Sequence, residues 1–256
     1  MKKSGFSLIE LAIVITIIGL LVAGVTAGSR LMKQAELKTV LDDLREYEVA
    51  FNSFHLAYEE LPGDMLNSSA LAVLGITNHT RVSTNPEGDG FIGGAREGPM
   101  AFWHMKIAGF INGNYTGIYS ANEVPGVNVG FSNYDDQAGY NFFTFGITNN
   151  QWGYGTASVY LRTKEIALVF GTVRLSGNGN QVSYAVLTPE QAHSIDEKID
   201  DALPHLGKIM ADHAQDVGND NQCLDRTGWA TNYTSGDQKY KRDNTALACR
   251  MMYVVR

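Results

Sequence analysis

The sequence predicts an α+β protein in which a long N-terminal helix is followed by a small antiparallel sheet with extra short helices. The chain opens with an apolar run from Phe6 to Gly28 and continues with an amphipathic helical pattern to Leu61. Beyond it lie short β-branched or apolar segments between Gly- and Asn-rich turns. With 256 residues, 44% of them hydrophobic and 10% aromatic, the chain can build a substantial core, and wholesale disorder is excluded.

The opening apolar run holds a single ionisable residue, Glu10. A helix from Phe6 to Gly28 would be about 35 Å long, which is enough to cross a hydrocarbon core of roughly 30 Å. An ionisable group inside a membrane span is costly and usually has a partner. The run therefore predicts a membrane helix, and Glu10 is its candidate functional residue.

Two simpler interpretations compete for the same residues. A secretory signal peptide would have a basic start and a small-residue cleavage site, for which residues 25–27 would serve. The apolar core of a signal peptide, however, is shorter than the run from Phe6 to Gly28. Glu10 would also lie where that core should be most hydrophobic. A plain membrane anchor explains everything except Glu10 and the Gly5-Phe6 pair.

Residues 2–10, with the sequence KKSGFSLIE, resemble the prepilin cleavage and methylation signal of type IV pilins and type II secretion pseudopilins. That signal has a short basic leader ending in Gly, a Phe after it, a Glu at the fifth mature position and an apolar helix beyond. The resemblance implies a pilin-like fold and cleavage by prepilin peptidase between Gly5 and Phe6. It also implies methylation of the new Phe6 amine and a role for Glu10 in subunit assembly.

The sequence divides into a leader (1–5), a transmembrane and assembly helix (6–29), an amphipathic half of the same helix (30–61) and a globular α+β domain (62–256). The amphipathic half repeats apolar residues at three- and four-residue steps, and it ends at Leu61-Pro62-Gly63. Its apolar residues are Leu37, Leu41, Leu44, Tyr47, Phe51, Phe54, Tyr58 and Leu61.

The globular domain is expected to contain two short helices and several strands. One helix is predicted from Pro99 to Gly109 and another from the Thr188 cap to about Leu203. Residues 116–153 are interpreted as loop with one short strand. The predicted strands cover 156–162, 165–174, 181–187, 207–212 and 251–255.

The resemblance implies an inner-membrane protein with one span and a periplasmic C-terminal domain, which would be extracellular in an assembled filament. Its implied partners are prepilin peptidase, other pilin or pseudopilin subunits and, indirectly, the assembly ATPase machinery. At 256 residues the chain is larger than a typical major pilin, so we expect a minor pilin or a pseudopilin without enzymatic activity.

The alternative function is a membrane-anchored periplasmic binding protein or enzyme whose N-terminus only mimics a prepilin. This alternative needs a polar pocket in the globular domain. The sequence contains no nucleophile elbow, phosphate loop or HExxH motif. A net charge of −7 argues against a nucleic-acid partner, because such binding depends on Lys and Arg.

The two cysteines, Cys223 and Cys249, are candidates for a disulfide. The compartment beyond an inner membrane is oxidising, which favours the bond. Pilins also often tie off their C-terminal region with one disulfide. Two buried free thiols are the alternative.

The best ligand-binding candidate is the segment 85–92, with the sequence NPEGDGFI. Oxygen side chains at alternate positions, Asn85, Glu87 and Asp89, resemble the first half of a calcium loop. The Glu expected at the twelfth position is missing, because that position is Arg96. We therefore favour a turn that binds no metal, and we predict no cofactor for the protein. Calcium binding by this loop is kept as the alternative.

The aromatic residues are interpreted as core rather than as a binding surface. Phe102 and Trp103 lie on the first short helix. A second group lies within the stretch 134–145, where buried packing is favoured over a sugar- or partner-binding face: Tyr134, Tyr140, Phe142, Phe143 and Phe145.

Overall fold

The computed structural model describes residues 7–76, 88–93, 96–118, 123–145, 165–173, 182, 184–205, 207–214, 216–217, 222–225 and 239–256. The helices in this part of the chain are α1 (Leu8–Tyr58), α2 (Asn67–Leu74), α3 (Glu97–Ile107) and α4 (Pro189–Ile199). The strands are β1 (Gly130–Phe131), β2 (Ala138–Phe145), β3 (Glu165–Thr172), β4 (Ile209–His213), β5 (Leu224–Asp225), β6 (Lys239–Tyr240) and β7 (Cys249–Val254). The predicted α+β class is confirmed.

By internal packing the chain divides into two units, Met1–Thr39 and Val40–Arg256, and α1 contributes residues to both. In the second unit α1 is amphipathic, as the three- and four-residue spacing predicts. It buries Val40, Leu41, Leu44, Tyr47, Phe51 and Phe54. The boundaries of the leader, the span and the amphipathic half remain predictions.

Helix α1 ends at Tyr58, three residues before the predicted end at Leu61. Glu59 adopts a left-handed conformation with φ of 57°, although it is not glycine. Pro62 disfavours helical backbone only at the residue before it, Leu61. The helix has already ended by then, because Glu59 leaves the helical conformation.

The main sheet is antiparallel, with strand order β1-β2-β3-β7-β4, and a separate ribbon pairs β5 with β6. Tyr140 lies opposite Phe170, and Met252 lies between Val169 and Met210. Successive side chains of a strand point to opposite faces. Phe142 consequently packs toward α1, whereas Phe143 packs on the other face against the buried cluster Ala167, Val169, Met210 and Met252.

Strand β2 corrects the prediction that residues 116–153 form a loop with one short strand. It is eight residues long and pairs with β1 on one side and β3 on the other. Neighbouring Gly and Asn residues favoured a loop, but Tyr, Phe and Thr side chains suit a buried pleated surface and dominate here. Tyr140 and Phe142 are fully buried, which confirms the core interpretation for these two residues.

The remaining predicted elements are mostly shifted at their ends. Helix α4 starts with the predicted capping box, in which Thr188 accepts from the Gln191 N–H and Gln191 accepts from the Thr188 N–H. It stops at Ile199 rather than Leu203. In the predicted strand 181–187, the described residues form isolated bridges at Tyr184 and Leu187. Helix α2 was not anticipated, and the predicted strand 156–162 lies outside the described residues.

The core of the second unit is an aromatic layer between α1, α3 and the sheet. The ring centroid of Tyr47 lies 5.3 Å from those of Phe102 and Tyr140, and Phe51 and Phe142 are 4.9 Å apart. A Cβ at position 98 would overlap the Asn141 side chain, so only glycine allows α3 to approach β2 this closely. Phe102 and Trp103 are buried, as predicted.

Candidate functional site

The predicted cleavage site, Gly5 and Phe6, lies outside the described residues, the first of which is Ser7. Ser7 is the N-cap of α1. Its backbone N–H donates to Glu10 Oε2 over 2.9 Å, and its Oγ accepts from the Ile9 N–H over 3.3 Å. This reciprocal arrangement is a form of capping box, which satisfies backbone donors left free at a helix start.

The predicted assembly residue Glu10 thus has a second, local role at the start of α1, which was not predicted from the sequence. The signal was present, since Ser7 and Glu10 have the S-x-x-E spacing of a capping box. A carboxylate has about four acceptor positions on two oxygens. The bond from Ser7 occupies one of these positions, so the Glu10 carboxylate can also form an ion pair with a cation.

The apolar stretch of α1 has the properties of a membrane span. Large side chains from Leu8 to Val25 are exposed by 44–87%. The hydroxyls of Thr16 and Thr26 donate to the carbonyls of Ala12 and Ala23, over 2.7 and 2.9 Å, which satisfies both groups within the helix. Among the described helices α1 alone is long and apolar enough to cross a membrane, judged by length and composition.

In the second unit, a buried carboxylate fastens α1 to the sheet. Asp43 is 3% exposed. It accepts hydrogen bonds from the backbone N–H of Asn133 (2.9 Å), from Asn133 Nδ2 (2.6 Å) and from the hydroxyl of Tyr140 (3.2 Å). Burial raises the pKa of the Asp43 carboxyl above its usual value, although these hydrogen bonds oppose the shift.

Tyr47 continues this polar attachment one turn along α1. Its hydroxyl donates to the Phe131 carbonyl over 2.8 Å and lies 3.1 Å from the Tyr115 hydroxyl. The Phe131 N–H in turn donates to the Tyr115 hydroxyl over 3.2 Å. Asp43 and Tyr47 therefore fix the position of α1 on β1 and β2 through directional bonds as well as apolar packing.

The structure partly describes the candidate calcium loop. Asn85 and Glu87 lie outside the described residues, and Asp89 is exposed with Oδ1 accepting from the Phe91 N–H over 3.0 Å. The central carboxylate is instead Asp64, which accepts from the N–H groups of Gly88 (2.8 Å), Asp89 (3.3 Å) and Gly90 (2.8 Å). The binding of calcium by this loop remains a prediction.

A cleft of about 480 Å³ adjoins this loop. Its lining includes His55, Glu60, Asp64 and Arg256. Two of its carboxylates already bond to backbone, because Glu60 accepts from the Leu66 N–H over 3.1 Å and Asp64 accepts from three amides. These two carboxylates are thus engaged in holding the surrounding loops.

The predicted disulfide is present. Cys223 and Cys249 are joined, and the bond ties the start of β7 to the residue before β5. Both residues are fully buried. The bond therefore fastens the small β5–β6 ribbon to the main sheet, and the alternative of two free thiols is wrong.

The exposed apolar helix, its single carboxylate and the α+β unit that follows define a pilin-like architecture. Residues 1–26 match the family model of the prokaryotic N-terminal methylation motif. This motif is the prepilin-type cleavage and methylation signal of type IV pilins and pseudopilins. Comparisons with curated proteins and with solved structures gave no match. The motif supports a pilin-like or pseudopilin subunit that prepilin peptidase processes.

Proposed function

We propose that this protein is a structural subunit, a minor pilin or a pseudopilin, of a type IV pilus or a type II secretion filament. The match of residues 1–26 to the methylation motif carries the proposal. The uninterrupted helix α1, 51 residues long, supports the proposal. Its apolar stretch suits a membrane, and its later turns pack within the second unit. The chain length of 256 residues favours a minor subunit.

The proposed sequence of events begins with removal of the leader 1–5. Prepilin peptidase hydrolyses the Gly5–Phe6 bond on the cytoplasmic face and methylates the Phe6 amine. The apolar helix then holds the mature chain in the inner membrane, with the C-terminal domain in the periplasm. The assembly ATPase machinery drives its transfer into a filament, where the domain is exposed outside.

In this proposal Glu10 aligns the incoming subunit with its neighbour in the filament. In hydrocarbon a lone carboxylate costs at least a few kcal/mol. The methylated amine of Phe6, on the same or a neighbouring chain, is a cation that removes much of this cost. Pairing with a neighbour would bring a new subunit into register, and the Ser7–Glu10 bond would hold the carboxylate close to the chain start.

The proposed role requires no enzymatic activity. The cleft beside Asp64 is the feature that a membrane-anchored binding protein or enzyme would use, and this is the competing function. The two functions differ in what they require: a subunit needs Gly5 and Glu10, whereas an anchored enzyme is indifferent to both and depends on the cleft.

The decisive experiment is intact-mass analysis of the full chain extracted from membranes of cells with and without prepilin peptidase. We expect a chain that begins at Phe6 with one added methyl group, and only when the peptidase is present. A Gly5→Leu variant should remain uncut, while a Gly28→Ala variant, which changes a glycine within α1, should be processed normally. An N-terminus at Met1 in peptidase-positive cells, or at Gly28, would contradict the proposal.

A further inference from the structure

Three carboxylates meet where α4 ends. Asp196 lies in the last turn of the helix, and Asp200 and Asp201 directly follow its last residue, Ile199. One oxygen atom from each of the three side chains lies within 4.8 Å of the other two. Asp196 is buried and the other two are exposed, so the cluster is open to solvent on one side.

One atom of this cluster is left without a donor. Asp196 is fully buried, and its Oδ2 accepts from the Tyr240 hydroxyl over 2.6 Å. Its Oδ1 is buried too, but among the described residues no donor reaches it. A buried carboxylate oxygen without a partner is costly, and a cation held among the three carboxylates would satisfy it.

The surrounding backbone holds the other two carboxylates in place. Asp200 accepts from the N–H groups of Asp201 (2.6 Å), Lys208 and Ile209 (3.1 Å). Gly207, with φ of 79°, has no Cβ, and one placed there would overlap the Asp200 carboxylate. Asp201 Oδ1 accepts from the Leu203 N–H over 2.9 Å. These bonds also explain why α4 stops at Ile199: Asp200 turns away to bind the start of β4.

The electrostatic setting favours a positive ion. The C-terminal end of a helix carries partial negative charge, so carboxylates gathered there are destabilising unless they are neutralised. The ammonium group of Lys208, the residue whose N–H reaches Asp200, lies 2.5 Å from Glu48. Its charge is therefore already engaged by another carboxylate.

We propose that Asp196, Asp200 and Asp201 bind a divalent metal ion, and that the ion is Ca²⁺. Oxygen-only ligands select hard cations over zinc or copper. Calcium accepts irregular geometry and water ligands, which suits a half-open site better than the strict octahedron of magnesium. The ion would join the end of α4 to β4 through Asp200 and to β6 through Tyr240. This proposal is independent of the filament function.

The site can be tested on the full chain in detergent, stripped with chelator and then supplied with calcium. Binding to the folded state alone raises the melting temperature by mass action. We expect Ca²⁺ to raise the melting temperature of the wild type, and Asp196→Asn to weaken calcium binding by about tenfold or more. The amide that this substitution introduces can donate to Asp200 and still accept from Tyr240, so in chelator the variant should be as stable as the wild type.

Matched variants separate this site from other acidic positions. Glu197→Gln removes an exposed charge next to Asp196 and should leave the calcium response unchanged. Asp89→Asn tests the other candidate loop.

Terbium, a calcium substitute, should show luminescence sensitised by Tyr240, and Tyr240→Phe should diminish it. The proposal fails if the wild type shows neither response, or if Asp196→Asn leaves the calcium affinity unchanged.

Discussion

The Glu10 carboxylate accepts the Ser7 backbone N–H over 2.9 Å, so the charged residue of the apolar helix is also part of that helix's N-terminal cap. A substitution at position 10 therefore removes two things at once. One is a negative charge that can pair with a cation, and the other is a hydrogen-bond acceptor that completes the first turn. A comparison of Leu with Gln at this position separates them.

We expect Glu10→Leu and Glu10→Gln to insert and to be cleaved like the wild type, yet both to be depleted from filaments by about tenfold or more. Gln keeps the acceptor of a capping box, but it cannot supply the charge that strengthens a bond to an ammonium group. The measurement is the fraction of each mature chain recovered in sheared filaments relative to the membrane. Normal incorporation of the Gln variant would show that capping, and not charge, is the role of Glu10.

Ser7→Ala serves as the control for this comparison. It removes the hydroxyl that accepts from Ile9 and keeps the Glu10 carboxylate. Loss of a Ser N-cap costs about 0.5–2 kcal/mol of helix stability. We expect this variant to be incorporated into filaments nearly as well as the wild type.

Local patterns were sufficient to predict the helices that carry a strong periodic or capping signal. The spacing of Leu41, Leu44, Phe51 and Phe54 predicted the buried face of α1, because a helix brings residues three and four apart to one side. The Thr188 cap predicted the start of α4 for a similar reason, since its partner Gln191 is only three residues away.

Features that depend on distant partners could not be predicted in this way. Asp43 stands between apolar positions of an amphipathic helix, a place typical of exposed charges, but its donors come from Asn133 and Tyr140, 90 and 97 residues away. Asp64 likewise binds amides of residues 88–90. A buried polar group requires a partner, and the sequence alone does not show which distant residue supplies it.

The Cys223–Cys249 disulfide should contribute measurably to stability. The bond closes a loop across a sequence separation of 26 residues, which corresponds to about 3–4 kcal/mol in the chain-entropy model. We expect a Cys223→Ser/Cys249→Ser variant to melt at a lower temperature than the wild type. Thiol alkylation of the denatured, unreduced protein from cells should label neither cysteine. Labelling of both would contradict the bond.

The loop at Asp64 gives a separate prediction. Asp64→Asn leaves the side chain with one acceptor oxygen for three backbone donors, at Gly88, Asp89 and Gly90. Residues 88–90 are exposed, so their freed N–H groups can bond to water, and each lost hydrogen bond then costs about 0.5–1.5 kcal/mol. We expect lower thermal stability and faster proteolysis near residue 90. Asp89→Asn keeps its turn to Phe91 and is the matched control. Equal proteolysis of the two variants would show that Asp64 does not hold the loop.

Asp43 provides the sharpest test of how α1 is fastened to the globular unit. Asp43→Asn places an NH₂ group, which cannot accept, where Asp43 has an oxygen that retains acceptor capacity whether the carboxyl is protonated or ionised, so one of the groups from Asn133 or Tyr140 loses its acceptor. The expected cost is about 1–3 kcal/mol of unfolding free energy. Asp42→Asn, at the exposed neighbouring position, should change stability little.

The cost of Asp43→Asn should depend on pH, because burial raises the pKa of Asp43 in the folded state. A raised pKa means that the contribution of Asp43 is fully present below the unfolded value of about 4 and is lost as the pH rises through the folded value. The nearby Asp42 carboxylate adds to this shift, and the surrounding groups Tyr47, Tyr115 and Tyr140 stay neutral, because their pKa values are raised above 10. Denaturant titrations of the full chain in detergent should therefore show the stability difference between wild type and Asp43→Asn shrinking from pH 4 to pH 7. A difference that grows over this range would mean that the hydrogen bonds to the ionised carboxylate outweigh its burial.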